Sequence, residues 1–287
     1  MRWRDSKQSD NIEDRRGQEP AQAGMGGAGL IRLIPFLIRT KVGRIILLVG
    51  AAFFAVQHFT GGSLSGSQSP SKASSHVAND ENKQFVAAVL GTTETVWKNH
   101  LGNRYQEPTL VLYNKVTRTG CGVGQAQTGP FYCPADQKIY LDLSFMKELK
   151  QLGAPGDFAF AYVIAHEVGH HVQNLLGTST KVHQLQQRSS KVEANKLSVM
   201  LELQADCYAG VWGHDVNKQM NMLEPGDIEE GIKAADAVGD DRLQQMAGQA
   251  VQPDAFTHGS SAQRIAWFKK GFESGDPRVC DTFSSVQ

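Results

Sequence analysis

Apolar side chains first gather into one unbroken run, residues 45–56, then thin out, and later return at spacings near two or near 3.6. The run holds twelve residues, fewer than the roughly 20 that a bilayer-spanning helix needs. Val42 and Gly43 before it and Gln57, His58 and Phe59 after it extend it to the interface, where Arg44 can snorkel. Arg2, Arg4, Lys7, Arg15, Arg16, Arg32, Arg39, Lys41 and Arg44 all precede it, so the positive-inside rule leaves the N-terminus in the cytoplasm and exports the chain beyond the run. A cleaved signal peptide fits less well, because the charged region ahead of the run is too long and no small-x-small site comes after Val56. The expected organisation is a basic, Gly-rich cytoplasmic tail over 1–41, a transmembrane helix over 42–60, a flexible linker over 61–79 and a domain over 80–287. Such a chain would sit in the inner (cell) membrane as a single-pass protein, with the lipid bilayer as one partner and its domain extracytoplasmic.

Beyond the linker the pattern changes. Phe85, Val86, Val89, Leu90, Val96 and Trp97 recur at helical spacing and Gly102 comes after them, which predicts a helix over 80–101. Residues 109–116 are rich in β-formers, and 138–143 alternates Ile139, Leu141 and Leu143 with Tyr140 and Asp142, so both read as strands. From Ser144 onward the patterns are helical, chiefly over 158–176, 190–212, 227–238 and 261–272, with Gly, Pro or Ser at the boundaries. The fold class is therefore α+β, predominantly helical with a small sheet, behind one N-terminal transmembrane helix.

Charge and cysteines narrow the function classes. Lys+Arg and Asp+Glu both number 29, so nothing in the charge points to nucleic acid as a partner. Cys121, Cys133, Cys207 and Cys280 all lie beyond the apolar run, an even number of the kind an oxidising compartment favours. None forms a C-x-x-C pair, so disulfides are the better reading than a Cys-based metal site. Three pairings are possible, and proximity in sequence favours Cys121 with Cys133, leaving Cys207 with Cys280.

The chemistry is concentrated in Ala165-His166-Glu167-Val168-Gly169-His170-His171. At about 100° per residue, His166 and His170 share one helix face a turn apart and can meet one metal ion. Glu167, one step on from the first ligand, is placed to act as a base toward water at that metal. Apolar neighbours mark a buried helix, and Gly169 leaves room for a close partner. His171 lies off that face and reads as structural. The next long helix carries Glu202 and Asp206 at i and i+4 among Val199, Met200, Leu201 and Leu203. Two acids in so apolar a segment are costly to bury without a counter-charge. Glu202 completes a His₂Glu zinc site with an open fourth position, and Asp206 can accept the free imidazole N–H of a ligand histidine.

HEVGHH with ELQAD after it is similar to the glutamate-type zincins, in which an H-E-x-x-H helix and an E-x-x-x-D helix supply the metal shell. More closely, the chain resembles the bacterial membrane-anchored neutral zinc metallopeptidases, through its basic tail and anchor, GPFYCPAD at 129–136, ELQADCYAG at 202–210, HGSSAQR at 258–264 and SGDP at 274–277. The resemblance implies a zincin-like domain, one Zn²⁺ per chain and a peptide or protein substrate. It implies that His258, just before the last helix, donates to the oxyanion of the reaction, with Tyr140 and Tyr208 as weaker candidates. It implies too that strand 138–143 is the edge strand that binds extended peptide. Arg264 can pair with a buried acid that the sequence does not name. Two other readings stay open: a membrane-anchored scaffold with a structural zinc site, and a zinc hydrolase acting on a non-peptide amide.

Overall fold

The computed structural model describes residues 1–18 and 81–284, so the membrane segment expected at 42–60 and the linker expected at 61–79 lie outside the described residues. The elements are β1 (Ile12–Asp14), α1 (Glu81–Leu101), β2 (Thr109–Leu112), β3 (Val116–Thr119), β4 (Gly122–Gln125), β5 (Phe131–Cys133), β6 (Lys138–Leu141), α2 (Phe145–Gln151), α3 (Asp157–Leu175), α4 (Thr178–Gln186), α5 (Lys191–Lys218), α6 (Asp227–Ala237), α7 (Asp240–Met246) and α8 (Ser261–Ser274). The domain is predominantly helical with a small mixed sheet, and none of its described helices is long and apolar enough to cross a membrane.

The four-stranded sheet runs β1-β2-β6-β5, with β1, β2 and β6 parallel and β5 antiparallel to β6. Successive side chains of a strand point to opposite faces. Leu110, Leu112, Ile139 and Leu141 accordingly join the main core, while Val111 and Tyr140 pack on the other face with Tyr113, Ala126 and Cys133. That second face is covered by the β3–β4 hairpin, to which the Cys121–Cys133 disulfide ties β5. The strand expected to be the peptide-binding edge is corrected here: β6 is interior, flanked by β2 and β5, and the two edges are β1 and β5, of which β5 is the one beside β6. The sequence pattern hid this because β5 is only three residues long, inside a stretch that reads as a Gly/Pro/Cys loop.

The helix α3 is buried on nearly every side and packs on α1, α5 and α6. Its start is capped from elsewhere in the fold: Gly156 has φ of 125°, the Glu230 carboxylate fills the space where a side chain would stand, and that carboxylate accepts from Phe158 N at 3.1 Å. Gly169 lets α3 press against α5, since a Cβ there would lie 3.1 Å from Ala205 Cα. Ala205 sits between Glu202 and Asp206, so this contact brings the two motifs together. The long α5 begins with a capping box formed by Ser190 and Glu193. A second box, Ser260 with Gln263, starts α8, which crosses α5 where Gly210 meets the Phe268 carbonyl and Gly271 meets the Cys207 carbonyl. The Cys207–Cys280 disulfide closes the same junction.

The first seventeen residues, expected to be part of a cytoplasmic tail, form one compact unit with the domain. Trp3 is buried and meets Phe85 of α1 edge to face at 5.4 Å. Ser9 N donates to Ala87 O, Arg2 N donates to Met222 O, and β1 pairs residue by residue with β2. The Met1 nitrogen lies among Asp157, Glu224 and Asp227. Basic and polar residues dominate this stretch and suggest a solvated tail, yet Met1, Trp3 and Ile12 are spaced to reach the core.

Candidate metal centre

The i, i+4 spacing on α3 and the Gly169–Ala205 contact bring three donor groups to one point. His166 Nε2 and His170 Nε2 are 3.1 Å apart, His166 Nε2 is 3.1 Å from Glu202 Oε2, and His170 Nε2 is 3.4 Å from Glu202 Oε1. Ligands of a tetrahedral zinc at 2.0–2.1 Å stand about 3.3 Å from one another, so the triangle has the size such an ion requires. His166, His170 and Glu202 form a group of donor atoms that could hold a metal ion.

Both imidazoles are held by their other nitrogen. His166 Nδ1 donates to Asp206 Oδ1 at 2.8 Å, which fixes the tautomer that leaves Nε2 facing the triad. His170 Nδ1 donates to Gln173 Oε1 at 2.9 Å; Gln173 Nε2 donates in turn to Leu201 O and Gln204 Oε1, and Gln204 Nε2 to Cys280 O. One ligand is thus braced by an acid on α5, and the other by an amide chain that ends at the disulfide-bonded Cys280.

The acid that Arg264 pairs with is Asp206. Arg264 Nε donates to Asp206 Oδ2 at 2.8 Å and Nη2 to Oδ1 at 2.9 Å, a two-point contact between buried groups. The Tyr162 hydroxyl donates to the same carboxylate. Burial opposes the charge of Asp206, but Arg264 and His166 outweigh it and hold the acid below its ordinary range. Burial would likewise lower His166, yet Asp206 and Glu202 raise its pKa to about 10. His170 is raised against burial by Glu202. The site is therefore built to hold positive charge. Arg264 balances one of the carboxylates of Glu167, Glu202 and Asp206, and a divalent cation would balance the other two. The residues present fit zinc in number, chemistry and spacing.

The triad opens on a cavity of about 700 Å³ lined by Phe131, Tyr132, Phe145, Glu167, Leu201 and His258 among others. Glu167 is mostly buried but makes no side-chain hydrogen bond among the described residues, so its carboxylate faces the cavity uncommitted. His258 also faces it. Asp240 Oδ2 accepts from the backbone N–H groups of Thr257, His258 and Gly259, and Oδ1 lies 3.1 Å from His258 Nδ1. That hydrogen bond is the leading cause of a raised His258 pKa and outweighs burial.

His171 is fully buried, donating from Nε2 to Gln106 O and accepting at Nδ1 from the Tyr132 hydroxyl, so it ties the metal helix to β5. Burial lowers its pKa, in keeping with a neutral ring. Tyr140 and Tyr208 are not among the cavity residues: Tyr140 donates to Asp136, and Tyr208 packs on Trp97. The side chains missed from sequence are Tyr162, Gln173 and Asp240. Tyr162 and Gln173 fall four residues before His166 and three after His170, on the same helix, and that spacing is the one signal that could have found them. Asp240 carries no such signal.

Against this geometry the chain's relatives can be set. It is 50% identical over 293 residues to the Uncharacterized protein YpfJ of Escherichia coli (strain K12), covering 99% of each. It is 44% identical over 212 residues to the Uncharacterized protein Rv2575 of Mycobacterium tuberculosis (strain ATCC 25618 / H37Rv), covering 70% of each. No solved structure matches the chain. A family model described as Putative neutral zinc metallopeptidase matches residues 1–283, so the chain belongs to that family of zinc metallopeptidases.

Proposed function

We propose that the domain hydrolyses peptide bonds, with His166, His170 and Glu202 holding one zinc ion and Glu167 acting as general base. The observation that carries this is the uncommitted Glu167 carboxylate facing the cavity beside the converging triad. A purely structural metal needs ligands and no such base, which weighs against the scaffold reading. Zinc, when bound, would polarise the scissile carbonyl and lower the pKa of water. Glu167 takes a proton from the attacking water and delivers it to the leaving amine. His258, oriented by Asp240, offers a donor to the oxygen on which charge develops; such donors are worth roughly 2.7–4 kcal/mol.

The edge strand β5 supports a peptide rather than another amide as substrate. It borders the cavity, it is linked through Tyr132 to His171 on the metal helix, and an extended chain can add to a free edge by main-chain hydrogen bonds. Attachment to a membrane through the apolar run in 42–60, with the domain extracytoplasmic, belongs to the same reading and is supported by that run and by the two disulfides. The test is cleavage of a mixed peptide library by the full chain, with zinc content measured alongside. Glu167→Gln is expected to keep its zinc and lose activity by about 10²–10⁴-fold. Cleavage that persists in that variant, or that a chelator does not stop, refutes the proposal.

A further inference from the structure

The charge balance of the metal cavity leaves one acid over. The charged or titratable histidine, acidic and basic side chains that line it are Glu148, His166, Glu167, His170, Glu202, His258 and Arg264. Arg264 is committed to Asp206, and His258 to Asp240. A divalent ion held by the triad would offset Glu167 and Glu202. Glu148 has no such counter-charge. It is partly buried, and among the described residues its carboxylate makes no hydrogen bond or ion pair.

The acid also stands on an apolar face. Phe145, Glu148 and Leu152 recur at i, i+3 and i+7 along α2 and its C-cap residue, which puts them on one side of the helix. All three line the cavity, where Val163 of the metal helix and Leu243 of α7 extend the apolar wall. Gly129 brings this wall to the edge strand: it turns the chain toward β5 with φ of 78°, and a Cβ there would lie 3.4 Å from the Phe145 ring. A peptide extended along β5 would direct alternate side chains to one face. The wall beside that path is apolar along Phe145 and Leu152 and negative at Glu148.

We propose that this wall is a side-chain subsite, that the enzyme prefers peptides with a lysine or arginine at one fixed position near the scissile bond, and that Glu148 selects for it. Lys and Arg carry an apolar stem that can lie along Phe145 and Leu152 and a cationic head that can donate to the free carboxylate. Methionine would cover the same apolar surface but leave Glu148 without a counter-charge, and an acidic side chain would set like charges together. The inference rests on the reading of the domain as a peptidase and deepens it by naming the substrate class.

The test uses the full chain loaded with zinc and a mixed peptide library whose cut positions are read by mass spectrometry. Lys and Arg are expected to be enriched at one fixed position relative to the cut. Peptides that differ only there are then compared. The kcat/KM ratio of the Lys to the Met peptide is expected to be about 10–100, the effect of one hydrogen bond between charged groups. In Glu148→Gln the ratio should fall toward one, and in Glu148→Arg the preference should turn to a Glu-bearing peptide. Because a ratio is read, a general loss of activity cannot imitate this result. A wild-type ratio near one, or a ratio that Glu148→Gln does not move, overturns the proposal. So does cutting at a fixed distance from the peptide N-terminus that N-acetylation stops, because the recognised cation is then the terminal ammonium. Binding separates this subsite from the hydrolysis reading. The zinc-loaded Glu167→Gln chain is titrated with fluorescently labelled Lys and Met peptides, and the tighter binding of the Lys peptide is expected to vanish when Glu148→Gln is added. If the wild type cuts no peptide, Glu148-dependent binding of the Lys peptide upholds the subsite while the hydrolysis reading fails. Cutting without a basic preference overturns the subsite alone.

Discussion

Asp240 shows how one carboxylate can set both the place and the charge of a neighbour. It accepts from three consecutive backbone N–H groups and from His258 Nδ1, and those bonds hold its own pKa down against the effect of burial. Because the folded His258 is raised, the pair's stabilisation is complete below the ordinary histidine value and is lost as pH rises through the raised one. If His258 donates as its protonated form, cleavage should fall over that same alkaline range. Asp240→Asn removes the leading cause of the raise, so the alkaline limb of kcat/KM against pH is expected to move to lower pH; an unmoved limb rejects the dyad. Gln173→Leu probes the opposite flank. It removes the acceptor of His170 Nδ1–H and is expected to weaken zinc binding by about 10–100-fold, measured by competition with a chromogenic chelator. At this scale the sequence was most legible where chemistry tracks helical spacing. His166 and His170 are four residues apart on one helix, and Glu202 and Asp206 are four apart on another. Arg264 and Asp240 meet their partners across 58 and 18 residues, and no local pattern encodes such distances.

Between elements, the two crossings on α5 differ in how much they can give. At Gly169 an added Cβ would approach Ala205 to 3.1 Å, which a small shift relieves. At Gly210 it would lie 2.1 Å from the Phe268 backbone oxygen, which cannot turn aside. Gly210→Ala is therefore expected to cost at least the roughly 1–3 kcal/mol typical of overpacking, and more than Gly169→Ala. Denaturant unfolding of both variants checks the order. Because α8 carries Arg264, the Gly210 variant should also loosen the Arg264–Asp206 pair and lower zinc affinity; a variant that unfolds earlier but binds zinc normally would show the crossing and the site to be uncoupled. The long helices were readable because each repeats its apolar face over several turns. The short elements were not: β1 and β5 have three residues each, and α7 and α4 are polar enough to pass for loops. Their conformation is set by what they pack against. Thus the edges went to β1 and β5 although β6 has the clearer alternation.

For the whole molecule, two long-range ties close the domain, and only one was visible in the sequence. The Cys207–Cys280 bridge spans 73 residues, and the chain-entropy model gives a loop of that size about 4 kcal/mol of stabilisation. It was legible because cysteines can be counted. The other tie, the packing of Met1–Gly17 on α1 and β2, hides behind a basic composition that reads as a tail ahead of a membrane segment. Its contribution can be measured at Trp3, which is 6% exposed and meets Phe85 edge to face. If the first seventeen residues were a free tail, Trp3→Ala would leave stability unchanged. As part of the core, the substitution is expected to cost about 3–5 kcal/mol, the usual range for deleting a buried Trp side chain. Trp3 itself is not among the cavity residues, so zinc affinity should hold while the denaturation midpoint falls. An unchanged midpoint would detach the first seventeen residues from the domain's core.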